Sequence, residues 1–113
     1  MEKKEEIILL PKIFDPRGSL TVTEEMKNIP FHIHRVEYLY GICQDKELEK
    51  YTEKESYKFY VALSGSFRIT IQEDDDTKRD YMLNRPYQGL LIQGDTHYSI
   101  HDFSNGVVCL EIE

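Results

Sequence analysis

The sequence predicts a single all-β domain, built as a sandwich or a barrel. Roughly nine short apolar runs recur at regular spacing, separated by breaks rich in Gly, Pro, Asn and Asp. No stretch has convincing helical periodicity. Eight tyrosines and no tryptophan also suit strands. At 113 residues one domain, spanning 1–113, can bury a core without disulfides or a structural metal.

The first part of the chain predicts three strands. Residues 7–10 and 20–23 form the first two, with a turn at Asp15–Gly18 that carries Pro16 and Gly18, and residues 24–28 are a connector. The third covers residues 31–42, FHIHRVEYLYGI. Its alternation places His32, His34, Val36, Tyr38 and Tyr40 on one face and Phe31, Ile33, Arg35, Glu37 and Leu39 on the other. Neither face is purely apolar, which is typical of a strand that lines a cavity or forms a sheet edge.

The centre of the chain predicts a β-hairpin. Residues 57–63 and 67–71 are rich in aromatic and β-branched side chains, and Gly65 between them permits the positive φ of a tight turn. The preceding residues 44–50 are charged and predict a loop. If residues 48–54 are extended, Tyr51 and Glu53 point the same way.

The last part of the chain predicts an acidic surface turn and four more strands. The turn is Glu73 to Asp76, which lacks the length and spacing of a calcium loop. The strands cover residues 81–83, 89–92, 98–101 and 106–112.

Charge and cysteine content exclude several classes of function. A formal net charge of −7 argues against a nucleic-acid-binding or membrane-binding surface, although one or two arginines can still hold a small phosphorylated ligand. Cys43 and Cys109 are far apart and predict free, packed thiols in a reducing cytoplasm. Four successive apolar residues in the first ten are too few for a signal peptide or a membrane span.

Several ordered blocks of the sequence resemble one known family. The chain is similar to the WxcM-like sugar 3,4-ketoisomerases, cupins that act on thymidine-diphosphate-linked 4-keto-6-deoxyhexoses. The resemblance implies a cupin jelly-roll barrel with an internal substrate cavity, a homodimer, no cofactor, and a pathway that makes sugars for bacterial surface polysaccharides. The blocks are DPRGSL (15–20), IPF (29–31), RV (35–36), VALSGSF (61–67), LNRPYQGL (83–90) and HDFSNGVVC (101–109).

The catalytic motif of that family, Arg-Gly-x-His-Ala-His-Lys, falls on residues 48–54. Its arginine position holds Leu48, its histidine positions hold Tyr51 and Glu53, and its lysine remains as Lys54. Four other family positions can be compared. In the preceding strand, one of the family's paired tyrosines is Glu37 and the other remains as Tyr38. Further along the chain, a position that is often tryptophan holds His97, and the next, usually histidine, holds Tyr98.

These replacements lead to two hypotheses about activity. Moving a carbonyl from C4 to C3 needs a base and an acid, and imidazole titrates near the operating pH. The first hypothesis is a catalytically altered relative that binds the nucleotide sugar without isomerising it. The second is an active isomerase with Glu53 as base and Tyr51 or His97 as acid, together with Tyr38. Candidate substrate-binding residues are Arg35, Glu37, Leu48, Arg85, His97 and Tyr98.

A metal-dependent cupin is a third and weaker interpretation. His32 and His34 have the i, i+2 spacing of a histidine pair on one metal, and Gly94 to His97 is similar to the second motif of metal cupins. Because Tyr51 and Glu53 stand where the first-motif ligands belong, we expect surface histidines and no metal site.

Overall fold

The computed structural model describes residues 4–73 and 77–113, and these residues form eleven β-strands and no helix. The all-β prediction is therefore confirmed. The strands are β1 (Glu5–Leu9), β2 (Lys12–Asp15), β3 (Gly18–Thr21), β4 (Val36–Tyr40), β5 (Leu48–Thr52), β6 (Tyr57–Ser64), β7 (Phe67–Gln72), β8 (Lys78–Leu83), β9 (Gln88–Gln93), β10 (Thr96–His101) and β11 (Val108–Ile112). Asp74 to Asp76 of the predicted acidic turn lie outside the described residues. With no helix among the described residues, none could span a membrane.

Two antiparallel sheets form the body of a jelly roll. One has the order β1-β9-β6-β11-β4, the other has the order β5-β10-β7-β8, and β2 and β3 form a separate hairpin. Apart from β7 and β8, strands that are neighbours in these two sheets are not consecutive in the chain, as the cupin resemblance implies.

The core has two layers, because the five-stranded sheet is covered on both faces. Side chains at alternate positions, such as Ala62, Leu90 and Cys109, face the other sheet and pack with Phe67, Ile69 and Ile100. The intervening positions pack against the segment before β4 in a second cluster of Leu10, Ile29, Phe31, Phe59, Val61, Leu91 and Ile112. This two-sided burial explains why β6 contains a continuous apolar run, Phe59 to Ala62, instead of simple alternation.

The predicted hairpin at Gly65 is wrong, although its two strands are right. β6 pairs with β9 and β11, whereas β7 pairs with β8 and β10, so the turn carries the chain from one sheet to the other. Gly65 has φ +70°, and a Cβ there would lie 2.4 Å from Ser104 Oγ. The Ser66 N–H donates to that same oxygen at 2.8 Å. Apolar pattern and turn chemistry predict strands and a turn, but the pairing partner depends on the whole sheet.

The predicted strand over residues 31–42 is also too long, because only Val36–Tyr40 is a strand. Phe31 instead enters the second cluster, where its ring stacks on Tyr57 with centroids 5.1 Å apart. The backbone N–H groups of His34 and Arg35 donate to the carbonyl of Glu113, which brings residues 31–35 across the end of the sheet. The predicted loop at residues 44–50 overlaps a strand, β5, and β2 was not predicted.

The two cysteines have different surroundings. Cys109 is buried, as predicted, and burial raises the pKa of its thiol to about 12. Cys43 is exposed, so packing was the wrong prediction for it. Both thiols are free.

Candidate functional site

A cavity of about 710 Å³ opens at one end of the barrel, where β5 ends and β6 begins. It brings together Tyr51 and Glu53, the two residues at the histidine positions of the family motif. The remaining lining residues come from the segment before β4, from the start of β6 and from the end of the chain: Met26, Pro30, Phe31, His32, His34, Glu55, Ser56, Tyr57, Lys58 and Glu113. The predicted catalytic segment therefore does border a cavity.

Tyr51 lies in a polar and aromatic contact network. Its hydroxyl donates to Asp95 Oδ1 at 2.9 Å, and its ring centroid is 4.5 Å from that of His97, its partner in the β5–β10 ladder. The hydrogen bond to Asp95, with burial and the charges of Asp95 and Glu53, raises the pKa of the Tyr51 phenol. Tyr51 is therefore a protonated group at neutral pH and can donate a hydrogen bond or a proton.

Glu53 lies just after β5, where the chain turns toward β6. Its carbonyl accepts the Ser56 N–H at 3.0 Å, and Glu55 inside this turn has φ +68°. The Glu53 side chain is exposed. It therefore lacks the apolar surroundings in which carboxyl groups serve as general bases near neutral pH.

A hydrogen-bonded network extends from the cavity wall into the barrel interior. The hydroxyls of Tyr60 and Tyr98 are 2.7 Å apart, and Tyr60 donates to Glu111 Oε1. Lys58 Nζ lies 3.6 Å from Glu111 Oε2 and donates to Glu113 Oε2. Tyr60, Tyr98 and Glu111 are buried, whereas Lys58 and Glu113 line the cavity. The network therefore has a buried end and an end that a ligand can reach.

The charges within this network stabilise one another. Burial raises the pKa of Glu111, but the Tyr60 hydrogen bond and the positive charge of Lys58 outweigh it, so the pKa of that carboxyl is below its ordinary value. Burial lowers the pKa of Lys58, and the Glu113 hydrogen bond and the charge of Glu111 reverse this into a net rise. Burial is also the main reason that the pKa values of Tyr60 and Tyr98 are raised. At neutral pH the network holds an ammonium, ionised Glu111 and two neutral phenols.

Sequence reasoning missed Lys58 and Glu111 as parts of a site. The available signal was a charged residue inside each of two apolar strands, YKFYVALS and VCLEI. In each strand that residue faces the barrel interior, since Glu111 is opposite Tyr60 in the ladder and Lys58 is two residues before Tyr60.

The β4 residues that the sequence predicted for the site do not line the cavity. Arg35, just before this strand, forms ion pairs with Glu37 and, at 3.7 Å, with Glu113. Glu37 is the ladder partner of Glu111 and faces the interior. Tyr38 points to the opposite side of β4 and is 60% exposed. The structure therefore places Tyr38 apart from Tyr51 and Glu53.

The four remaining predicted residues lie in four different environments. Leu48 packs against the interior core from β5. Arg85 is exposed and donates to the carbonyl of Asn84. His97 is on the outer face of β10 beside Tyr51, whereas Tyr98 is buried in the network described above. Among the predicted substrate-binding residues, His97 contacts the cavity-lining Tyr51 through its ring, and Arg35 contacts the cavity-lining Glu113 through its ion pair.

His32 and His34 line the cavity without converging on one point. His32 Nδ1 lies 2.5 Å from Glu25 Oε2, and His34 Nδ1 lies 2.9 Å from the carbonyl oxygen of His32. Across residues 4–73 and 77–113 no group of three His, Cys, Asp or Glu side chains has a geometry that could hold a metal ion. The two histidines are therefore engaged in local contacts.

Comparisons with known proteins give one family. The family model "WxcM-like, C-terminal" matches residues 3–112. A TDP-4-oxo-6-deoxy-alpha-D-glucose-3,4-oxoisomerase from Aneurinibacillus thermoaerophilus is 36% identical over 110 residues, which are 97% of this chain and 77% of that protein.

Two solved structures agree with this result. A mutant of the 3,4-ketoisomerase QdtA from Thermoanaerobacterium thermosaccharolyticum, in complex with TDP-4-keto-6-deoxyglucose, has a TM-score of 0.92 at 29% identity, over 99% of this chain and 80% of that one. The TDP-quinovose 3,4-ketoisomerase WlaRB from Campylobacter jejuni has a TM-score of 0.89 at 30% identity, over 98% and 85%. The chain therefore belongs to the WxcM-like family of sugar 3,4-ketoisomerases.

Proposed function

We propose that this protein binds a thymidine-diphosphate-linked 4-keto-6-deoxyhexose and has lost the imidazole-dependent 3,4-isomerisation of its family. The observation that carries the proposal is a cavity lined by Tyr51 and Glu53 at the two positions where the family motif has histidines. The fold around this cavity matches that of a ketoisomerase over 99% of the chain. Because the fold is kept while both histidines of the family motif are replaced, we expect the protein to bind the nucleotide sugar without isomerising it.

The chemistry of the reaction supports the same conclusion. Isomerisation through an enediol requires removal of the proton at C3 and return of a proton at C4. Tyr51 is held as a phenol, which is an acid and a poor base. Glu53 is exposed, and Leu48 supplies no charge that could stabilise an enediolate.

A second candidate is an isomerase that uses Glu53 as base and Tyr51 as acid. It is favoured by one observation, which is that both side chains line the same cavity. His97 would then position the Tyr51 ring, with which it is in contact. In that case Glu53→Gln should abolish turnover and leave binding unchanged.

Calorimetric titration with TDP and with TDP-4-keto-6-deoxyglucose tests the proposal, with product formation followed by NMR. We expect both ligands to bind and the keto sugar to remain without efficient turnover. Absence of binding by either ligand would contradict the proposal, and efficient turnover would favour the second candidate. Metal analysis of untagged protein tests the metal-dependent alternative, which predicts a stoichiometric ion.

We also propose a homodimer, formed through the exposed face of β4. Val36, Tyr38 and Tyr40 share that face, and Tyr40 is 74% exposed. Among the described strands β4 lies at the edge of its sheet, and an edge strand with exposed apolar side chains suits contact with a second copy. Tyr38→Ser with Tyr40→Ser should lower the mass in sedimentation equilibrium to that of a monomer, whereas Met82→Ser, an exposed apolar residue on β8, should not. A monomeric wild type would contradict the proposal.

The setting that we propose is the cytoplasm of a bacterium that makes sugars for surface polysaccharides. The family resemblance supports the pathway, and two free cysteines support a reducing compartment. Neighbouring genes for nucleotide-sugar enzymes would test this setting.

A further inference from the structure

Lys58 is a positively charged residue in the cavity lining. Its side chain is only 20% exposed. It lies on β6, which is paired on both sides, with β9 and with β11. Its position is therefore more constrained than that of a lysine on a surface loop.

The ammonium retains donor capacity after its internal contacts. An ammonium has three N–H donors. Within the described part of the chain, Glu113 accepts one of them, and Glu111 contributes an ion pair at 3.6 Å. These two contacts use at most two of the three donors, so the ammonium can donate to one further acceptor.

The charges around Lys58 determine whether its ammonium suits the diphosphate or the sugar of the ligand. Glu111 and Glu113 offset the lysine's charge, and Glu53 and Glu55 also line the cavity. Such surroundings repel a diphosphate, which needs uncompensated positive charge. They tolerate a neutral oxygen, and the adjacent Phe31 and Tyr57 rings offer the apolar surface against which sugar rings pack.

We infer that Lys58 is a ligand-binding residue that donates a hydrogen bond to a keto or hydroxyl oxygen of the hexose, and does not contact the diphosphate. The inference rests on the proposed function, because it assigns a residue to the sugar end of the same ligand. Through this hydrogen bond, Lys58 makes the protein bind the nucleotide sugar more tightly than the nucleotide alone.

The test compares TDP with TDP-4-keto-6-deoxyglucose by calorimetry for wild type, Lys58→Met and Lys58→Arg. Lys58→Met should weaken binding of the keto sugar about tenfold, the usual effect of losing a charged hydrogen-bond donor, and should change binding of TDP less than about twofold. Lys58→Arg keeps a charged donor and should recover part of the loss. Lys78→Met, an exposed lysine on β8, is the matched control and should bind both ligands like the wild type.

Three results would overturn the inference. An equal loss for both ligands would place Lys58 at the diphosphate, and no loss for either would remove it from the site. A wild type that binds neither ligand would overturn the proposed function and this inference with it, a result distinct from the first two. Because Lys58→Met removes the positive charge beside Glu111 and Glu113, the double variant Lys58→Met with Glu113→Gln is measured alongside it. Thermal denaturation shows which of the two variants is folded, and the difference between the two ligands is required of each folded variant.

Discussion

Leu48→Arg, Tyr51→His and Glu53→His together should raise the rate of 3,4-isomerisation of TDP-4-keto-6-deoxyglucose at least about 100-fold over the wild type, the usual contribution of positioned acid and base groups. Tyr51 and Glu53 already line the cavity, so imidazole groups at these two positions would border the same cavity. The histidines return groups that titrate near neutral pH, and the arginine returns the positive charge of the family motif. Product formation followed by NMR measures the effect.

Partial variants show whether the three residues act as a unit. Each single change should have little effect, because removal and return of the proton need both groups at once. The double variant Tyr51→His with Glu53→His isolates the arginine, since Leu48 packs against the core and its replacement also costs stability. A folded triple variant that binds ligand and remains inactive would show that the site has diverged further, with the Glu37–Arg35 ion pair and the Tyr60–Glu111 contact as the next positions to change.

Gly89→Ala should destabilise the fold by about 3 kcal/mol, the upper range for overpacking a core. A Cβ at this position would lie 2.2 Å from Cζ of Phe59, whose ring is fully buried in the second cluster. Neither β9 nor β6 can move aside easily, because both are internal strands of the five-stranded sheet. Urea denaturation followed by circular dichroism measures the change.

Two further variants separate this steric effect from a general loss of glycine. Gly94→Ala is the matched control with a smaller expected effect, because its nearest neighbour is the Glu55 nitrogen at 3.2 Å. Phe59→Leu should partly rescue Gly89→Ala, so that the double variant costs at least about 1 kcal/mol less than the sum of the single changes. Additive costs would contradict the proposed contact between Gly89 and Phe59.

The cavity lining could be predicted only in part. The family motif predicted Tyr51 and Glu53 as site residues, and both lie in the cavity lining. Alternation along residues 31–42 predicted that Tyr38 shares a face with His32 and His34, but the strand begins only at Val36, and Tyr38 lies outside the cavity lining. The reason is Phe31, whose burial against Tyr57 gives residues 31–35 a different path from that of a regular strand.

Apolar alternation and turn residues are local signals, and they predicted the all-β class and most of the strands, but not β2 or the bounds of β4 and β5. The ordered blocks of sequence predicted the family, which the family model over residues 3–112 confirms. The pairing of the strands and the contacts between distant side chains depend on the tertiary structure. β6 and β7 are adjacent in sequence and belong to different sheets, whereas Lys58 meets Glu111 across 53 residues. Strand pairing in a jelly roll is non-local. Lys58 and Glu111 are charged residues within two apolar strands, and they form a site only because the barrel brings these strands together.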